Sequence, residues 1–543
     1  MSKKFTQPKD MTHGTPWKLI LSFSIPLVLG NIFQELYTIV DTMVVGQKLG
    51  VNALAAVGAT GWVFMFNSML IQGFTQGFGI QISKMVGEND STKLKQSITN
   101  SVVLSAILSI ILLVGMQLII NPTMHILRIP LEIRDLSVTY LRVIFAGIPL
   151  SVAYNILAVI LRSLGNSKTP LNAMIISTIS NIVLDILFVV GFQWGVIGAA
   201  AATVISQLLS ALYCFTQVKM IAVAKINFKN IRPDLAGVAT MLKLGTPMAL
   251  QNMIITVGGV VLQSFVDSYG VIFMAGYIAT TKLYGIIQCA GTAYGFAMVT
   301  YTGQNWGAKQ IKRIRQGTKS GIKVAIISCL IIAVLMFIFG RQLLGLFISG
   351  TPEETQLAMN YAYDFLRIMS ICLPILYVLH IIRSVLQGLG HTMITMVSGL
   401  FEMLVRVGGA FLLSLVFGER GLFITEILAW LAADIVLIIG YYISMKKIEN
   451  TSVCHNDNSP SSVYYIIKDS NKRNYPVSQI TYLLGSPLRK FLSGLFMIWF
   501  PHHNPVTSVN LLQQHHSHQL VRECHFRKTE QIICPLIDTL RKS

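Results

Sequence analysis

The chain has 543 residues, of which 53% are hydrophobic and 12% charged, against the ~25% charged of a soluble globular domain; its mean hydropathy is +0.62. The net charge is +19, but up to residue 450 the 32 basic residues, set against 18 acidic ones, fall almost wholly in alternate loops. That pattern reflects orientation in a membrane rather than a polyanion partner. A soluble enzyme, a disordered chain and a disulfide scaffold are excluded, and no nucleic-acid partner is expected.

Residues 1–18 are polar and basic, and the apolar block that follows is too long for the short core of a cleaved signal peptide. It reads as an uncleaved first span with its N-terminus inside. Apolar blocks then fall at about 16–46, 51–82, 96–120, 136–161, 169–191, 196–218, 236–266, 271–302, 324–348, 357–382, 392–417 and 421–445. Residues 96–127 carry no Lys, Arg, Asp or Glu, and ~20 mostly apolar residues suffice to cross a bilayer. Twelve spans with both ends cytoplasmic put 23 of the 32 basic residues inside and five outside (Lys48, Arg128, Arg134, Arg341 and Arg420). Arg142, Lys282, Arg367 and Arg406 lie within spans. The seven Cys are scattered without a C-x-x-C pair, and those in apolar runs read as small buried hydrophobes.

The two halves repeat. Ser24-Ile-Pro26 opens the first and Gly245-Thr-Pro247 the second, and an offset of 220 pairs Gly50 with Gly270, Ala55 with Ala275, Thr60 with Thr280 and Gly87 with Gly307. Further on, Pro149 meets Pro374, and Leu164-Gly165 meets Leu389-Gly390. Six spans per half insert both halves the same way up, as in transporters built from parallel repeats. The expected fold class is an all-α integral membrane protein of twelve transmembrane helices in two parallel six-helix repeats. Its organisation would be a cytoplasmic segment at 1–15, a first lobe at 16–218, a basic connector at 219–235, a second lobe at 236–448 and a polar tail at 449–543.

An ionisable residue at span depth costs at least ~2.5–3.5 kcal/mol, so each is a functional candidate. The first span carries a one-sided polar stripe of Asn31, Gln34, Glu35, Thr38, Asp41 and Thr42, with steps of three and four. The fifth adds Ser177, Asn181 and Asp185, and the sixth Thr203, Ser206 and Gln207. Two carboxylates, an amide oxygen and a hydroxyl suit a hard cation or a proton. Interhelical hydrogen bonding is the structural alternative, strongest for Thr203, Ser206 and Ser177. In the second half Glu402 and Arg406 can neutralise each other, and Lys282 stands unpaired, so ion coupling is expected in the first lobe. Pro26 can kink the first span. Gln34, Glu35, Met65, Met69, Tyr154, Asn155, Lys282, Tyr284 and Tyr294 are candidates for an adaptable cavity taking a lipophilic or cationic small molecule.

From about Glu449 the character changes: residues 451–543 hold seven of the eleven His and three of the seven Cys. Phe491–Phe500 is too short to span, and His515, His516 and His518 lack a set geometry for a metal. A poorly ordered tail without a transport role is expected.

The segments Ile25-Pro26, Leu36-Tyr37-Thr38-Ile39-Val40-Asp41-Thr42 and Gly303-Gln304-Asn305-Trp306-Gly307-Ala308 together resemble the multidrug and toxic compound extrusion (MATE) family in its bacterial branch. The Arg162-Ser-Leu-Gly-Asn166 turn and Leu386-Gln-Gly-Leu-Gly390 add to the likeness, which covers about residues 10–448. The resemblance implies a V-shaped, two-lobe secondary antiporter of the cytoplasmic membrane. It would export organic cations or drugs in exchange for protons or sodium, as a monomer and without a cofactor. It also implies a cation site at Asp41, Asn181, Asp185 and Thr203 and a bending proline at Pro26. A flippase of lipid-linked saccharides in the same broad superfamily is the alternative; it would want a strongly cationic cavity. An enzyme is not expected, since neither H-E-x-x-H nor a phosphate-binding loop occurs.

Overall fold

The computed structural model describes residues 9–221 and 233–456, the last six by backbone alone. The described residues up to 453 form one compact unit, and the rest of the chain, 454–543, lies almost wholly outside the described residues. The tail expected at 449–543, with His515, His516 and His518, and most of the connector at 219–235 therefore lie outside them too.

Among the described residues there are helices and no strand. They run α1 Pro16–Leu49, α2 Val51–Gly87, α3 Ser91–Ile126, α4 Leu131–Ala146, α5 Ile148–Ser163, α6 Lys168–Asp185 and α7 Gly195–Met220. Then follow α8 Leu235–Ser268, α9 Val271–Gly307, α10 Ile311–Leu344, α11 Pro352–Gly388, α12 Thr392–Phe417 and α13 Arg420–Asn456. Eleven of these are long and apolar enough to cross a membrane, and α4 with α5 makes a twelfth span bent by 46°. Each of the twelve expected blocks has its helix. The bend in the fourth has a local cause: Pro149 sits in the first turn of α5 and supplies no N–H to α4. Gly147 lets the corner close on α7, where a Cβ would stand 2.5 Å from Val204 Cγ2. Pro374, the repeat partner of Pro149, lies inside an unbroken α11.

The repeat read from the sequence is a backbone fact. Gly50 and Gly270 turn the chain between the first two helices of each half with φ of 83° and 91°. Gly165 and Gly390 do the same after the fourth span with φ of 88° and 84°, a left-handed region that glycine enters without strain. The halves also meet reciprocally. A Cβ on Gly87 would fall 1.9 Å from the Gln304 carbonyl, and one on Gly307 would fall 2.0 Å from that of Lys84. Residues 84 and 304, like 87 and 307, are repeat partners, so α2 and α9 cross at equivalent points.

The border between the halves is carried by their first two helices. α1 packs on α6 of its own half and on α9 of the other; α8 packs on α12 and on α2. Close approach on this border needs glycine: a Cβ on Gly77 would lie 2.3 Å from Gly245 Cα, and one on Gly73 would lie 2.4 Å from Ala249 Cα. Gly58 and Gly61, nearer the other end of α2, have nothing within 4 Å. The halves therefore meet backbone to backbone towards the end that carries the N-terminal segment.

Candidate cation site

Within the first half, four helices bring polar side chains to one buried point. α1 contributes Tyr37 and Asp41 one turn apart, α4 contributes Tyr140, α6 contributes Asn181 and Asp185, and α7 contributes Thr203. Asp185 closes the α-helical part of α6, and Ile186–Gly191 continue as a π-helix, a widened turn frequent at functional positions. Small residues allow the fit: a Cβ on Gly198 of α7 would meet the Phe188 backbone at 3.1 Å.

The four residues expected as a cation site stand together. Asp41 is 8% exposed, Asn181 1%, Asp185 0% and Thr203 3%. Asn181 Nδ2 donates to Thr203 Oγ1 at 3.5 Å, and the Tyr37 hydroxyl hydrogen-bonds Thr203. The Asp41 and Asp185 carboxyl groups lie within hydrogen-bonding reach of each other. Yet Asp41 Oδ1, Asn181 Oδ1 and both Asp185 oxygens are buried without a donor. Buried acceptors normally find one, and two adjacent carboxylates repel unless a positive charge joins them. This oxygen set fits a proton shared between the carboxyls or a monovalent hard cation. Tyr37 and Tyr140, both beside the two aspartates, complete the surroundings; sequence periodicity alone does not distinguish them from membrane-facing aromatics.

Pro26 is buried inside α1, which continues through it as one helix. Glu35 is half-buried and faces α9, where a Cβ on Gly285 would lie 3.5 Å from its Oε2. Lys282, exposed, is the charged group that acts on it. Asn31, one turn before Glu35, donates to the Cys289 carbonyl at 3.3 Å and to Thr292 Oγ1 at 3.1 Å. Gln34 is exposed, and so is Met65 at 39%; the Met69 carbonyl accepts from Asn252 at 3.1 Å.

The remaining cavity candidates are engaged in packing within each half. Tyr154 packs on the cluster around Phe78, Ile156 and Cys214, while Asn155 donates to the Ser151 carbonyl at 2.9 Å. Tyr284 stacks on Trp430 with centroids 6.0 Å apart. Tyr294 is 5% exposed, with its hydroxyl 2.6 Å from Ser328 Oγ.

The second half holds a charge network larger than the expected Glu402–Arg406 pair. Arg406 reaches Glu402 at 3.1 Å and Glu426 at 2.9 Å, and Arg383 reaches Glu402 at 2.7 Å. Arg383, one residue past the expected span at 357–382, is part of α11, its side chain 12% exposed. Asp434 lies close enough to feel Arg383 and Glu402, with its Oδ1 buried and unpartnered. No reading of single helices links residues that meet only when α11, α12 and α13 pack.

The MatE family pattern matches residues 26–187 and 247–412, covering both halves and the span of the site. The chain belongs to the MatE family. It is 30% identical over 414 residues to the probable multidrug resistance protein YpnP of Bacillus subtilis, across 76% of this chain and 92% of that one. It is 24% identical over 432 residues to the multidrug export protein MepA of Staphylococcus saprophyticus, across 78% and 94%. Among solved structures, a MATE in complex with MaL6 and an outward-facing multidrug resistance MATE family transporter each superpose with a TM-score of 0.77. Each has 24% identity and covers 82% of this chain and 100% of the other. MatE membership with this two-lobe helical fold makes the protein a multi-pass membrane transporter.

Proposed function

We propose that this MatE protein is a secondary active exporter of lipophilic organic cations, driven by protons or sodium entering through the Asp41–Asp185 site. One observation carries the reading: a buried pair of carboxylates in reach of each other, with three of their four oxygens lacking any donor. Two negative charges confined in an apolar lobe attract one positive species at a time. A proton or sodium ion there removes the charge that favours a cationic substrate, and rocking of the lobes exchanges one for the other. The family relatives named as multidrug proteins support drugs as the cargo. The basic loops support a cytoplasmic-membrane location in a bacterium with both ends of the helical body on the cytoplasmic side, and the protein is proposed to work as a monomer.

A flippase would need cations in its cavity, for which Lys282 and Arg406 are the candidates within spans. Arg406 is neutralised by Glu402 and Glu426, and Lys282 faces Glu35, so the charge balance favours a cationic cargo. The test is ethidium efflux from cells under imposed proton or sodium gradients. Gradient-driven efflux by the wild type that is lost in Asp41→Asn and Asp185→Asn supports the reading; undiminished efflux in both variants refutes it.

A further inference from the structure

Two sequence motifs have no part in the coupling site, the Gly303–Ala308 motif ending α9 and the Arg162–Asn166 turn after α5. Both bind the same object, the stretch of chain just ahead of α1. Lys9 N–H donates to the Gly165 carbonyl at 3.3 Å, and Gly165 has no room for a side chain, since a Cβ there would stand 2.1 Å from the Lys9 carbonyl. Met11 is 0% exposed. Its N–H donates to Gln304 Oε1 at 2.9 Å, and its carbonyl accepts from Asn305 Nδ2 at 3.1 Å and from Arg313 Nη2 at 3.2 Å. Arg313 also donates to the Gly14 carbonyl at 2.9 Å. The Lys9 ammonium hydrogen-bonds Ser22 of α1.

Gln304 is the hub. It belongs to the second half, yet its Nε2 donates to the Ser163 carbonyl of the first half at 2.9 Å while its Oε1 holds Met11. The side chain is 0% exposed, with donor and acceptor both engaged. It lies where α2 and α9 cross most tightly, beside Gly87. Separation of the halves here would pull Gln304 from Ser163 and draw Gly165 away from the residues that grip Met11. The segment cannot keep both sets of partners.

We propose that Lys9–Gly14 is a clasp. Seated on Gly165 of one half and on Gln304, Asn305 and Arg313 of the other, it holds the halves together on this face and must leave its seat before that face opens. Its own shape is preset: Asp10 Oδ1 accepts from the Thr12 N–H at 2.7 Å and from the Thr12 hydroxyl at 2.6 Å, and Gly14 turns the chain with φ of 92° into α1. Since α1 also carries Asp41 towards its far end, release of the clasp frees the N-terminal end of the helix on which the cation site depends. The clasp stands apart from the choice of ion and cargo, and its test needs no transport.

The test places a cysteine reporter at Thr300, which is 3% exposed on the lobe border, in the full-length protein in inside-out vesicles. Labelling by a charged maleimide is compared with the same protein lacking the reporter, which corrects for the native cysteines. With the clasp intact, and in the conservative Met11→Leu variant, labelling is slow. In Met11→Asp and in Arg313→Ala, which removes the Met11 and Gly14 contacts but leaves the Gln304–Ser163 bond, it is faster by about tenfold, the change expected when a closed state loses its differential contacts. Folding is followed by size-exclusion profile, and the two variants act at separate places, so either one that folds decides. Unchanged labelling in a folded variant, or rapid labelling with the clasp intact, overturns the proposal.

Discussion

Asp41 of α1 and Asp185 of α6 face each other across the first lobe with their carboxyl groups in hydrogen-bonding reach. Neither residue has a basic partner among its ion pairs within the described residues, unlike Glu402 and Glu426 of the second lobe, which are both held by Arg406. Glu402 and Glu426 are thus neutralised by arginine, whereas Asp41 Oδ1 and both Asp185 oxygens have no hydrogen-bond donor.

Thr203 sits between Asn181 and Tyr37, so it positions the site and carries no charge of its own. Thr203→Ala is expected to weaken gradient-driven efflux several-fold and to leave expression unchanged, while Thr203→Ser restores most of it. Initial efflux rates normalised to protein in the membrane check this.

Removing Glu402 leaves Arg383 without its 2.7 Å partner and Arg406 with Glu426 alone. An uncompensated buried charge costs ~3–5 kcal/mol. Glu402→Ala is expected to lower the melting temperature of the purified protein markedly, and Glu402→Gln less so. Thermal unfolding followed by thiol exposure of the buried Cys372 measures it.

Gly77 meets Gly245 closely enough that a methyl group would lie 2.3 Å from a backbone carbon. Overpacking of this kind costs ~1–3 kcal/mol, and here it falls on one face of one state. Gly77→Ala is expected to speed labelling of the Thr300→Cys reporter while leaving the first lobe folded, whereas Gly61→Ala, with open space around it, leaves labelling unchanged.

In the clasp, partial burial works against ionisation of Asp10, but hydrogen bonds from Thr12 and His13 prevail and hold its carboxyl below the usual carboxylate range. A folded-state value below the free one contributes stability above the free value and loses it as pH falls through the folded one. In the Asp41→Asn/Asp185→Asn background, and relative to a freely exposed cysteine that suffers the same loss of thiolate with pH, labelling of the reporter should therefore stay flat from neutral pH down to about 5 and rise only below about 4.

The spans, the repeat and the first-lobe carboxylates were legible in the sequence because each carries a large energetic signature. Long apolar blocks are needed to cross a bilayer, paired glycines mark backbone turns such as Gly50 and Gly270, and an aspartate at span depth is too costly to be casual. Arg383 was hidden because its position at the end of an apolar block looks the same whether it enters a loop or folds back on Glu402. Tyr154, Tyr284 and Tyr294 show the same limit, since an aromatic residue suits a cavity wall and a helix interface equally. The clasp has no periodicity at all. Its residues acquire meaning only through Gln304, some 290 positions away in the chain.

Exchange of charge at Asp41 and Asp185 is tested by ion release from purified protein on addition of an organic cation. With the protein in weakly buffered detergent solution, or loaded with radioactive sodium, ethidium should displace protons or sodium from the wild type and none from the Asp41→Asn/Asp185→Asn double variant. Equal release from the double variant would rule out exchange at these two carboxylates.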